Sequence, residues 1–152
     1  MALRIFIVDD SDRGRAAIKS LLSSESSKWL VCGEAVDGDD AVARATEAMS
    51  DVILLDLSLP QVHGMVLAAR LRNAVPSAAI VIMSAQAPRF MRQFADPLPV
   101  EHFVSKSNLG TDLVANLGGH LLQEARLGLM LLNELQGVMP WRPTLIFSRD
   151  HG

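Results

Sequence analysis

Short runs of consecutive apolar residues alternate along the chain with stretches whose apolar positions recur at helical spacing. Leu3 to Val8 is a largely β-branched run that ends in acids. From Ser11 to about Ser24, Ala16, Ala17, Leu21 and Leu22 fall near helical spacing, with Ser11 or Asp12 placed to cap the helix. Leu30 to Ala35 predicts a second strand and Gly38 to Ala48 an alanine-rich helix. Val52-Ile53-Leu54-Leu55 predicts a third strand, closed by Asp56, and Gly64 to Asn73 a further helix. Then come a strand over Ala79 to Met83, a weaker helix near Arg89 to Ala95 and a short strand over His102 to Ser105. A long helix begins near Thr111.

Several of these strands are apolar at consecutive positions, as expected where both faces of a parallel sheet are covered. Five strands alternating with five helices predict a doubly wound α/β fold with a five-stranded parallel sheet. In such sheets ligands lie in the crevice beyond the carboxyl ends of the strands. The residues there are Asp9 and Asp10 after the first strand, Asp56 after the third, Ser84 after the fourth and Lys106 after the fifth.

Composition narrows the classes further. The chain has 152 residues, 49% hydrophobic and 20% charged, a balance that suits one domain with a substantial core. Net charge is −3 and no basic stripe stands out, so direct nucleic-acid binding is not expected. The single cysteine, Cys32, forms no internal disulfide or multi-thiolate metal site, and its place in an apolar strand predicts an inert core residue. His63, His102, His120 and His151 lack metal-ligand spacing and are expected at the surface or in loops. No apolar stretch approaches the roughly 20 residues needed to span a membrane, and Asp9-Asp10 interrupts the apolar start. A soluble, cytoplasmic protein is expected.

Three carboxylates converging on one crevice repel each other unless a cation sits among them. Oxygen-only ligands with room for water suit Mg²⁺ better than zinc. With a hydroxyl and a lysine beside them, they form the parts of a phosphoryl-transfer site. Asp56 can attack phosphorus, Lys106 and the metal neutralise the oxygens, and Ser84 donates a hydrogen bond to the product.

Val8-Asp9-Asp10-Ser11, Leu54-Leu55-Asp56-Leu57-Ser58-Leu59-Pro60, Gly64, Met83-Ser84-Ala85 and Phe103-Val104-Ser105-Lys106 together resemble the receiver domain of two-component response regulators. Ser84 follows Asp56 by 28 residues and Lys106 follows Ser84 by 22, spacings similar to the family's. The resemblance covers residues 1–125 and implies a flavodoxin-like (βα)5 fold. It implies that Asp56 accepts a phosphoryl group from a sensor histidine kinase or phosphotransfer protein. It further implies that Asp9, Asp10, Asp56 and the backbone carbonyl of Ser58 hold Mg²⁺, and that Lys106 binds the phosphoryl group. Ser84 and Phe103 are implied as the switch pair, with Ser58 and Gln86 beside the site. The only catalysis implied is of the protein's own phosphorylation and dephosphorylation. A pseudo-receiver, a binding module on the same fold that never cycles phosphate, is the alternative. Asp10-Ser11-Asp12 also resembles the nucleophile motif of haloacid-dehalogenase-type phosphatases, but the acidic pair that fold needs is missing after Lys106.

Two features depart from the family's pattern. Asp96-Pro97-Leu98-Pro99-Val100-Glu101 replaces the glycines expected before the last strand, which predicts a short or displaced fourth helix. After Lys106 too few residues follow for a helix-turn-helix unit, so a stand-alone receiver with a downstream protein partner is expected. Residues 126–152 are expected to form a C-terminal helical extension and tail. Its Leu127-Gly128-Leu129-Met130-Leu131-Leu132 run is apolar nearly all round, which predicts packing on a second chain, as in a homodimer, or on a partner; the alternative is that it folds back on its own domain.

Overall fold

A computed structural model of the chain describes residues 2–25, 28–59, 64–85 and 102–118. Strands β1 (Leu3–Val8), β2 (Trp29–Ala35), β3 (Val52–Asp56), β4 (Ala79–Ser84) and β5 (His102–Ser105) form one parallel sheet in the order β2-β1-β3-β4-β5. Helices α1 (Asp12–Glu25), α2 (Gly38–Glu47), α3 (Gly64–Ala74) and α4 (Leu109–Gly118) cover its two faces, with a 3-10 turn at Lys106–Asn108 leading into α4. The weaker helix expected near Arg89 to Ala95, Gln86 and the two-proline segment lie outside the described residues. So do Pro60, His63 and the C-terminal extension.

The period-2 alternation of each strand divides the core in two. Ile5, Ile7, Val52, Leu54, Val81, Met83 and Val104 pack with Ile18 and Leu22 of α1 and Leu113 and Leu117 of α4. Phe6, Val8, Ile53, Leu55, Ile80 and Ile82 pack on the other face with Ala41 and Ala45 of α2 and Leu67, Ala68 and Leu71 of α3. Each fully buried Ile, Leu or Phe contributes roughly 1.5–3 kcal/mol of transfer free energy, so covering both faces is what makes the consecutive apolar runs affordable. β1, β3 and β4 are buried along nearly their whole length, as the apolar runs predict.

β2 differs. It is the edge strand, and most of its residues are only half-buried. Cys32 is therefore half-buried rather than a core residue. Desolvation still raises its thiol pKa, against the opposing charge of Arg4. His102 departs from expectation in the other sense. It opens β5 paired with Val81 and is 2% exposed, because alternation turns positions 102 and 104 to the same face and Val104 belongs to the core there.

Helix ends are closed by side chains from the sequence's own cap residues. Ser11, not Asp12, caps α1: its Oγ accepts the Gly14 N–H at 3.0 Å. Asp37 caps α2 by accepting the Asp40 N–H at 2.9 Å. At the other end of α2, Arg4 donates from Nε and Nη2 to the Ala48 carbonyl at 3.2 and 2.9 Å, satisfying an orphan acceptor. The chain then turns through Met49, which holds φ 47°, the left-handed region that favours glycine. Met49 is 74% exposed and so packs little in return. Met49→Gly is expected to stabilise the fold by about 1 kcal/mol, read as a higher urea midpoint with an unchanged slope.

Candidate functional site

The same alternation that builds the core places the charged groups. Ile5, Ile7 and Asp9 are successive same-face positions of β1 and its end, and Val52, Leu54 and Asp56 are the equivalents on β3. Val104 and Lys106 continue that face from β5. Asp9, Asp56 and Lys106 thus meet above the α1/α4 half of the core, at the carboxyl edge of the sheet. Lys106 Nζ donates to Asp56 Oδ2 at 2.7 Å and to Asp9 Oδ2 at 3.4 Å. Asp9 and Asp56 are each 1% exposed, whereas Asp10 points to solvent.

Both buried carboxylates sit in the same local turn. Asp9 Oδ1 accepts the Ser11 N–H at 2.8 Å, and Asp56 Oδ1 accepts the Ser58 N–H at 3.0 Å. Each is an Asp-x-Ser segment in which the carboxylate takes the place of a backbone acceptor. The hydroxyls diverge. Ser11 Oγ caps α1, while Ser58 Oγ adds a second bond to Asp56 Oδ1 at 2.8 Å. The Asp9 main chain is braced as well, since Arg15 Nη1 donates to its carbonyl at 2.7 Å. Arg15 is buried and pairs with Asp12 on its own helix.

Electrostatics follow from this packing. Burial alone pushes the Lys106 ammonium toward a lower pKa. The hydrogen bond and charge of Asp56, joined by those of Asp9, outweigh that effect and hold the pKa above the ordinary lysine value. One ammonium facing three acids leaves the site net negative. Asp9, Asp10 and Asp56 each offer an oxygen within 4.8 Å of the others, so small side-chain shifts would bring them to the at most about 4.2 Å that ligands of an octahedral Mg²⁺ can lie apart. The donors are all hard oxygens, with no His or Cys among them, so the set fits Mg²⁺ by its chemistry.

Ser84 and Phe103 occupy the neighbouring strand ends. Phe103 pairs with Ile82, and both pack on the α2/α3 half of the core; alternation from Ile82 puts Ser84 on that face as well. Ser84 is buried and Phe103 half-buried. The site thus has two sides: an acid–lysine cluster over one core, and a hydroxyl and an aromatic ring over the other.

The loop carrying Asp56 and Ser58 is fixed by Gly64, the first residue of α3. A Cβ there would lie 2.8 Å from Leu57 Cα and 2.9 Å from Leu57 O, both backbone atoms. Gly64→Ala is therefore expected to cost about 2 kcal/mol and to slow any chemistry at Asp56, since Leu57 lies between Asp56 and Ser58. Urea unfolding and phosphodonor labelling of the same preparation would test it; wild-type behaviour in both would refute the packing argument. Ser11 was expected as a cap of α1, whereas Gly14 and Arg15 carried no signal in the sequence, because their roles depend on where the Asp9 side chain and main chain lie.

An open parallel sheet in the order 2-1-3-4-5, with an acid cluster and a lysine at its carboxyl edge, defines the CheY-like class of α/β proteins. The chain belongs to the response regulator receiver domain family, whose model matches residues 5–117. It is 32% identical over 126 residues to protein-glutamate methylesterase/protein-glutamine glutaminase 5 of Myxococcus xanthus, covering 82% of this chain and 36% of that protein. It is 29% identical over 91 residues to the chemotaxis protein CheY of Thermotoga maritima, covering 60% of this chain and 74% of that one. The fold matches a CheY-like receiver domain from Methanospirillum hungatei with TM-score 0.71 at 20% identity, over 83% of this chain and 98% of that one. The chain thus spans about a third of the methylesterase that it resembles. Among the described residues, no helix is long and apolar enough to cross a membrane.

Proposed function

We propose that this receiver domain takes a phosphoryl group from a histidine kinase or phosphotransfer protein onto Asp56, in a Mg²⁺-dependent reaction. The observation that carries the reading is the Lys106 ammonium held between Asp56 and Asp9 at 2.7 and 3.4 Å, with Asp10 completing the acid cluster. An Asp56 carboxylate oxygen attacks phosphorus, an O–P bond forms, and the P–N bond to the donor imidazole breaks. Lys106 follows the new charge by moving its contact from the carboxylate to the phosphoryl oxygens. Asp9, Asp10, Asp56 and the Ser58 carbonyl would hold Mg²⁺, which when bound offsets the negative charge gathered on the phosphoryl oxygens.

The product adds about −1.5 to −2 charges and strong acceptors at one point of the sheet edge. Ser84 is the hydroxyl proposed to turn toward them, and Phe103 the ring that follows it. They share a face and adjacent strands, so motion of one frees space for the other. This pair is the proposed two-state element, and its output is contact with a downstream protein or a second copy of the chain. The leucine-rich segment 127–132 is the proposed surface for self-association.

The test is incubation with a small-molecule phosphodonor, with and without Mg²⁺, followed by mapping of the label and measurement of mass in solution. Metal-dependent label at Asp56 supports the reading, and a change of mass on labelling identifies self-association as output. A folded protein that takes no label with Mg²⁺ present overturns it in favour of a phosphate-independent binding module.

A further inference from the structure

Gly14 is the third residue of α1, a position where alanine is the better helix former. The space its side chain would occupy is already taken. A Cβ at position 14 would lie 2.7 Å from Asp9 Oδ2, 3.2 Å from its Cγ and 3.3 Å from Oδ1. The Asp9 carboxylate is therefore seated directly against the main chain of α1. It is also held from two other directions, by the Ser11 N–H on Oδ1 at 2.8 Å and by Lys106 on Oδ2 at 3.4 Å. The Asp9 backbone has little freedom to retreat, because Arg15 Nη1 grips its carbonyl at 2.7 Å. A methyl group at position 14 would act on the carboxylate itself, swinging it off the Ser11 N–H or into the space beside Lys106.

We infer that Gly14 is a positioning residue for metal binding: by lacking a side chain it lets the Asp9 carboxylate lie against the first turn of α1, oriented by Ser11 and facing Lys106. The inference rests on the reading of Asp9, Asp10 and Asp56 as Mg²⁺ ligands. It assigns Gly14 no contact with the ion; the residue acts through Asp9 alone. Mg²⁺ demands near-ideal octahedral geometry, whereas Ca²⁺ accepts irregular and variable coordination. A shift of one carboxylate therefore penalises the smaller ion more.

The experiment is calorimetric titration of the full chain with Mg²⁺ and separately with Ca²⁺, comparing wild type with Gly14→Ala. Mg²⁺ affinity is expected to fall about tenfold, the size of effect seen when a ligand's supporting group is altered, while Ca²⁺ affinity falls less than about threefold. Equal Mg²⁺ affinity in the two proteins, with the wild type labelled at Asp56, overturns the role of Gly14 and leaves the phosphorylation reading standing. Equal losses for both ions also overturn it, since that pattern reports general damage. A wild type that binds no Mg²⁺ overturns both readings. Thermal unfolding without metal provides the second measurement. In an Asp9→Ala background, Gly14→Ala is expected to raise Tm by roughly 3 °C through helix propensity, and to give no such gain when Asp9 is present. The same Tm change in both backgrounds would remove Asp9 from the argument.

Discussion

Asp56→Asn is expected to abolish phosphodonor labelling, by at least about a hundredfold, while leaving the protein folded and within about 1 kcal/mol of wild-type stability. The amide is isosteric, and its oxygen can still accept the Ser58 N–H and Oγ that now converge on Oδ1 at 3.0 and 2.8 Å. What disappears is the charge and the acceptor at Oδ2, where the amide NH2 would face the Lys106 ammonium donor against donor. An amide nitrogen is no nucleophile toward phosphorus, and the Lys106 contact at 2.7 Å loses its ionic partner. That loss is offset in part, because a buried carboxylate is removed from beside Asp9. Intact-mass labelling with Mg²⁺ present, alongside urea unfolding, separates the two effects. Full labelling of the variant would place the acceptor elsewhere, and an unfolded variant would mean that the Asp56 charge is structural.

Lys106→Gln should have the larger effect on stability. It removes the ammonium shared by Asp9 and Asp56, two groups each 1% exposed. Breaking a fully buried ion pair costs roughly 3–5 kcal/mol; with Lys106 still 31% exposed, screening reduces the expected loss to about 2 kcal/mol at pH 7. The pH dependence has a definite sign. The folded-state pKa of Lys106 is raised, so its contribution is complete below the ordinary lysine value of about 10.4. It is lost as pH rises through the folded value above that. Wild type and variant should therefore differ most near neutrality and converge in strong alkali, where the lysine is neutral in both states. Added Mg²⁺ should restore part of the variant's loss, if a cation among the acids is what the site requires. Urea midpoints at pH 7 with and without Mg²⁺, and near pH 11 without it, would show this; identical midpoints at pH 7 would refute it.

Much of this arrangement was legible in the sequence, for reasons particular residues make plain. Consecutive apolar runs at Val52–Leu55 and Ala79–Met83 announce strands covered on both faces, and a strand covered on both faces must end where chemistry can begin. That rule picked out Asp9, Asp10, Asp56, Ser84 and Lys106 as candidates, and the structure brings Asp9, Asp10, Asp56 and Lys106 together in space. Counting positions by twos also separates Asp9, Asp56 and Lys106 from Ser84 and Phe103, although spacing alone does not say which helices cover which face. Other features depend on neighbours that no local pattern names. The half-burial of Cys32 follows from β2 being an edge strand, which only the strand order reveals. His102 is buried because it opens β5 on the face that Val104 shares, which its own polar chemistry does not announce. Gly14 reads as a poor helix residue until the Asp9 carboxylate is found in the space beside it.

The edge strand has one more property. Along the β1–β2 ladder Ile5 pairs with Val31 and Phe6 with Gly33, so the register shifts and Cys32 is left without an opposite number. A bulge of this kind bends the strand and interrupts the even row of donors and acceptors along it. A strand from another molecule that tried to zip onto β2 would lose step halfway, despite the exposed Leu30 that invites it. The irregularity thus disfavours edge-to-edge pairing of β2 with a strand of another molecule.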